Sequence, residues 1–135
     1  MTRSALVVGV VLLLAGTLRL EAHHAFAAEF DPEQPLTLHG AVTRVEWVNP
    51  HIWLYMDVKG KDGKMTNWAV EGGAPNALFR RGIRKNSLPV NIIITVQGFR
   101  AKNGAFIVNG RDITWPDGVK LFMGTTGTGA PTDPR

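Results

Sequence analysis

From Leu36 to Val48 apolar and polar residues alternate strongly, but the apolar parity changes between Leu38 and Val45, with Gly40 near the slip. Alternation with period two means a strand with one apolar face. A long strand bent by a bulge or a glycine kink accounts for both the alternation and the change. In the next strand Ile52, Leu54, Met56 and Val58 form one face and Trp53, Tyr55, Asp57 and Lys59 the other. The turn residues Gly60 to Lys64 join it to a third strand, Met65 to Val70. After Glu71-Gly72-Gly73 the pattern changes: Pro75 suits a first helical position, and the stretch to Arg81 before Gly82 predicts a helix of about two turns. The β-branched run within Asn91 to Gln97 predicts a buried strand, the turn Lys102-Asn103-Gly104 leads into another over Ala105 to Trp115, and Pro116-Asp117-Gly118 leads into a short one over Val119 to Met123.

This order predicts a mainly β domain: a five- to six-stranded Greek-key barrel of the OB type, with one short helix between strands 3 and 4. Leu38, Val45, Leu54, Met56, Ile93 and Val96 are the expected core. At 135 residues, 44% apolar and 19% charged, the chain is long enough for one domain and too apolar for a disordered one.

Ahead of the barrel, Arg3 is followed by twelve apolar or glycine residues from Ala5 to Gly16 and a short stretch ending at Ala22. This has the form of a secretory signal peptide over 1–22, too short for a membrane-spanning helix, and implies a periplasmic or secreted protein with no permanent membrane anchor after cleavage. Cuts after Glu21 or Ala27 are alternatives. Residues 23–35, broken by Asp31-Pro32 and Gln34-Pro35, are expected to be an extended arm, 36–123 the barrel, and the Gly-, Thr- and Pro-rich 124–135 a disordered tail.

Of 15 basic and 11 acidic residues, 13 and 10 remain after Ala22, and Arg80, Arg81, Arg84 and Lys85 fall within six positions. Such a cluster can meet a phosphate, an anionic lipid surface or a nucleic acid. The plainer reading is a solvated helix end with cations near its C-terminus, and export argues against a nucleic-acid partner.

The stretches His-His-Ala-Phe-Ala-Ala-Glu-Phe-Asp at 23–31, Glu-Trp-Val-Asn-Pro-His at 46–51, Gly-Gly-Ala-Pro-Asn at 72–76 with Arg80-Arg81-Gly82, and Pro-Asp-Gly at 116–118 resemble a family of small exported bacterial proteins known only as a domain of unknown function. The resemblance covers nearly the whole mature chain and implies an exported OB-like domain with no established activity. In order of elements the chain is also broadly similar to periplasmic OB-fold proteins such as the haem chaperone of cytochrome c maturation, a likeness of architecture that does not fix function.

Without cysteine, any metal must be held by His, carboxylate, amide or backbone groups. Cleavage after Ala22 would place His23 first, and its α-amine (pKa roughly 7.7 to 8.0) and imidazole can close a chelate on one ion. His51, in the turn Asn49-Pro50-His51, is the obvious third donor and His24 the competing one. Cleavage one residue earlier would expose Ala22-His23-His24, whose amine, two amides and His24 can wrap an ion in a square plane. Both arrangements favour copper. The plainer alternative is a solvated arm, with His51 bonding only its own turn. His39, beside Gly40, reads as structural.

Trp53, Tyr55 and Trp68, with Trp47 and Phe99 nearby, are candidate ligand-stacking residues on the OB binding face, or else complete a small core. Asn76 and Arg80 near the helix start are candidate anion contacts, or a cap and a solvated cation. Catalytic motifs are missing; Glu46, Glu71 and Asp112 stand alone in sequence and Ser87 is the only serine after Ala22. The expectation is a non-enzymatic exported binding protein that takes copper at its N-terminal histidine site, or else an envelope adaptor for a protein or small ligand that uses the aromatic face and holds no metal.

Overall fold

The computed structural model describes residues 26–125. The expected leader and His23 and His24 lie outside these residues, as does most of the expected tail. Six strands follow in order: β1 (Phe30–Glu46), β2 (Trp53–Lys59), β3 (Met65–Glu71), β4 (Ile93–Ala101), β5 (Ile107–Thr114) and β6 (Lys120–Phe122). Between β3 and β4 stand helix α1 (Pro75–Arg80) and a 3-10 turn (Lys85–Ser87). The sheet order is β3-β2-β1-β4-β5-β6, and a parallel β3–β5 pairing closes five strands into a barrel. This is the predicted mainly β, OB-like Greek-key barrel with its helix between strands 3 and 4.

β1 makes the closure possible because it pairs along one half with β4, from Phe30 to Ala41, and along the other with β2, from Gly40 to Glu46. Gly40 belongs to both ladders. A Cβ there would lie 2.0 Å from the Asp57 carbonyl oxygen, so only glycine lets the strands approach this closely. The change of parity itself comes three residues later, at a bulge between Val42 and Arg44.

β1 also begins at Phe30, six residues before the expected barrel start. Pro32 falls inside the break in the β1–β4 register between Phe30 and Pro35, and Pro35, opposite Phe99, is the residue at which pairing resumes, so neither proline interrupts the interior of the ladder. Residues 26–29 form a helical turn ahead of the strand.

The barrel interior is filled by aliphatic side chains, among them Leu38, Val42, Ile52, Leu54, Met56, Val70, Ile94, Val96 and Val108. Ile93, expected in the core, is 44% exposed. In the run Ile92-Ile93-Ile94 composition cannot choose the buried member; register does, since Ile94 and Val96 share the inward parity of β4. α1 covers one barrel end through Leu78 and stops at Gly82 (φ +90°), with Ile83 N–H donating to the Leu78 carbonyl.

Candidate functional site

A second, smaller cluster lies outside the barrel. Phe26, Phe30, Phe99 and Ala101 are buried together, with Ile107 against them. Phe26 meets Phe30 at 5.7 Å and Phe99 edge-on at 5.8 Å between ring centroids. Lys102 N–H donates to the Glu29 carbonyl at 2.9 Å, and Lys102 Nζ donates to the Ala27 carbonyl, so residues 26–30 are fastened across the end of β4. Between this segment and the barrel wall opens a cleft of about 510 Å³, lined by Ala28, Glu29, Phe30, Trp53, Lys102 and Ile107 among others.

The polar centre of this face is built by strand register. Trp53 pairs with Glu71 in the β2–β3 ladder, and Glu71 pairs in turn with Asn109 in the parallel β3–β5 ladder. His51 precedes β2 by two residues and shares Trp53's parity, which puts it diagonally across from Glu71. Its position is fixed by Ile52, fully buried, whose N–H donates to Gly73 and whose carbonyl accepts from Gly72. The preceding Asn49-Pro50 peptide bond is cis. His51 Nδ1 lies 2.5 Å from Glu71 Oε1, with side chains 32% and 12% exposed.

Burial pushes the Glu71 carboxyl above its ordinary value, and the Glu29 carboxylate adds to that; the adjacent imidazole and the Asn109 side chain, both hydrogen-bonded to Glu71, pull the other way. Asn109 is 3% exposed, and its Oδ1 is a buried acceptor with no partner among the described residues. An orphaned acceptor next to a carboxylate–imidazole pair is an unusual arrangement on a β-barrel wall, where native folds pair nearly every buried polar atom.

The chain matches a family model described as "Family of unknown function (DUF6152)" over residues 11–109. It belongs to that family. Neither a search of curated proteins nor one of solved structures finds a match. The family span takes in His51, Glu71 and Asn109 together with His23 and His24, and stops before the Pro-Asp-Gly turn at 116–118.

The candidate residues singled out in the sequence do not form one site. Trp53 lines the cleft. Tyr55 has the outward parity expected of it, but Arg44 lies 4.0 Å over its ring and pairs with Glu46 at 2.8 Å, so one ring face is already covered. Trp68 pairs with Met56, packs against the interior cluster and meets Phe106 edge-on at 5.1 Å. It therefore does not share a platform with Trp53: the two have opposite parity. Asn76 and Arg80 are exposed on α1, whose N-cap position is Ala74, so Asn76, the second residue of the helix, is not its N-cap. His39 faces Thr95 across the β1–β4 ladder and bonds its hydroxyl at 2.9 Å.

The three carboxylates that stand alone in sequence are all paired in space. Glu71 meets His51, Glu46 meets Arg44, and Asp112 meets Arg111 at 2.8 Å and Lys120 at 3.7 Å. Among the described residues no group of three or more His, Cys, Asp or Glu is placed to hold a metal ion, and no helix is long and apolar enough to cross a membrane.

Proposed function

We propose that this is an exported, non-enzymatic binding protein that holds a copper ion between its N-terminal histidines and His51. The observation that carries the reading is the His51–Glu71 pair. A carboxylate on Nδ1 fixes the tautomer and the ring orientation of an imidazole and leaves Nε2 as the free donor, which is the usual outer arrangement of a metal-bound histidine. Asn109 and the raised carboxyl of Glu71 belong to the same shell. His51 alone is one donor, so the remaining nitrogens must come from elsewhere, and His23 stands three residues ahead of Phe26, which is packed on this face. Three extended residues span about 10 Å, enough to bring a terminal amine and imidazole beside the cleft mouth. Amine and imidazole donors in this number favour Cu(II) over other divalent ions.

The test is intact mass and N-terminal sequencing of the protein exported by a bacterial host, then Cu(II) titration of the same sample followed by electron paramagnetic resonance. A start at His23 or Ala22, one nitrogen-rich Cu(II) signal, and its weakening by His51→Ala are expected. A start at Ala28, or Cu(II) binding weaker than micromolar (about −8 kcal/mol), overturns the reading.

One observation favours a second reading, an envelope adaptor for a small ligand or protein segment: the cleft of about 510 Å³ with the Trp53 indole on its wall. On that reading Trp53→Ala abolishes capture of a flat ligand from an envelope extract, and the position of the processed N-terminus is immaterial.

A further inference from the structure

Between Glu71 and Asp112 the sequence holds seven lysines and arginines and no aspartate or glutamate. Four of the seven are engaged in the fold. Arg81 donates to the Gly124 carbonyl at 2.6 Å and lies over Phe122, Arg100 and Lys102 donate to backbone carbonyls, and Arg111 pairs with Asp112. The other three, Arg80, Arg84 and Lys85, are exposed, and none is in an ion pair among the described residues. An exposed apolar group stands among them in the chain: Phe79, next to Arg80, is 55% exposed, with the Arg84 guanidinium 4.6 Å over its ring.

The backbone beneath is rigidly held. Leu78, Ile83 and Leu88 are buried in the main core, and the Trp115 indole N–H donates to the Ser87 carbonyl at 2.8 Å. The three cations and the ring are thus presented on a fixed surface, with no carboxylate on the segment to compete for them.

We infer that α1 and the 3-10 turn form a docking surface for an anionic lipid bilayer, with Arg80, Arg84 and Lys85 at the phosphate level and Phe79 entering the interface. Charge complementarity selects an anionic partner, and each cation close to such a surface contributes about fivefold to partitioning. The exposed ring selects lipid among anions, because a bilayer interface takes up an aromatic side chain beside cations, whereas a nucleic-acid backbone rewards the cations alone. Stacking on a base would also have to displace Arg84 from the ring. The contact is reversible and peripheral, and does not depend on the copper reading.

The experiment is vesicle co-sedimentation of the exported protein, comparing phosphatidylcholine alone with equal parts phosphatidylcholine and phosphatidylglycerol, across a salt series. Any affinity lent by the N-terminal segment is common to wild type and variants. Binding only to the anionic vesicles, falling with salt, is expected. The triple variant Arg80→Gln, Arg84→Gln, Lys85→Gln should lose about a hundredfold, and Phe79→Ser a smaller factor with an unchanged salt dependence. All four positions are exposed, so thermal unfolding of both variants should match wild type, which separates lost docking from lost folding. Equal binding to the neutral vesicles, or an unaltered triple variant, overturns the proposal. So does a silent Phe79→Ser accompanied by tight binding to heparin, which would mark a general polyanion patch.

Discussion

The barrel interior and the outer face under residues 26–30 are both buried, but they are built from different chemistry. Inside, every fully buried side chain of the cluster is aliphatic or methionine, closed off by the β3–β5 pairing. Outside, three phenylalanines lie near a histidine, a carboxylate and an asparagine whose oxygen has no partner among the described residues. An apolar interior is what a small barrel requires to fold at all. Buried polar groups on the outer wall weaken the fold unless they serve something else, since each lost solvent contact must be matched by a partner. The interior explains why the chain folds, and the outer face holds buried polar groups that folding alone does not require, which is the ground for placing the proposed site there.

The comparison can be broken most directly at the interior. Leu54→Ala, at a fully buried position on β2, is expected to cost about 3 to 4 kcal/mol, a large share of the total for a domain of this size. Chemical denaturation should show it as a lower midpoint with an unchanged slope, and a loss below 1 kcal/mol would mean that the barrel is not closed as described. Phe26→Ala comes next, at about 3 kcal/mol, the low end for a buried phenylalanine because its cluster holds only four buried residues. Its second effect distinguishes the two regions. Freeing residues 26–29 from Phe30 and Phe99 should weaken Cu(II) binding in the proposed site, whereas Leu54→Ala should leave binding of the folded fraction unchanged.

How much of this is legible in the sequence follows the same division. Strand alternation gives β2 its two faces correctly, and Pro75 and Gly82 bound α1 by local chemistry that needs no tertiary context. The bend of β1 is legible as a parity change, but its placement is not: Gly40 marks where two ladders meet, while the bulge sits beside Thr43. His51 is recognisable as a candidate because it follows a turn. Its partner is not, because Glu71 falls one residue beyond the expected end of the third strand. Extending that hairpin by one pair about Asp62 sets Glu71 opposite Trp53 and diagonal to His51. Asn109 had no such signal. It reaches the site only through the parallel β3–β5 pairing, a contact between strands far apart in the chain that no local pattern encodes.

The finest test of the comparison is the carboxyl of Glu71. Burial, helped by Glu29, raises it in the folded state, so the folded protein holds that proton more tightly than the unfolded chain does. Its contribution to stability is therefore fully present below the unfolded glutamate value of about 4.3, and is lost as pH rises through the raised folded value. Glu71→Gln removes this dependence at a cost of about 1 kcal/mol or less from altered hydrogen bonding. Relative to wild type the variant should be least stable near pH 4 and should improve as pH rises toward neutrality, a trend read from unfolding temperatures of the two proteins across that range. In a His51→Gln background the trend should extend to higher pH, because the imidazole that lowers the carboxyl is gone. On the proposed function the same Glu71→Gln change should weaken Cu(II) binding by about 10- to 100-fold. A variant with a flat pH difference and full copper affinity would reduce the His51–Glu71 pair to a surface contact and leave the outer face without a polar centre.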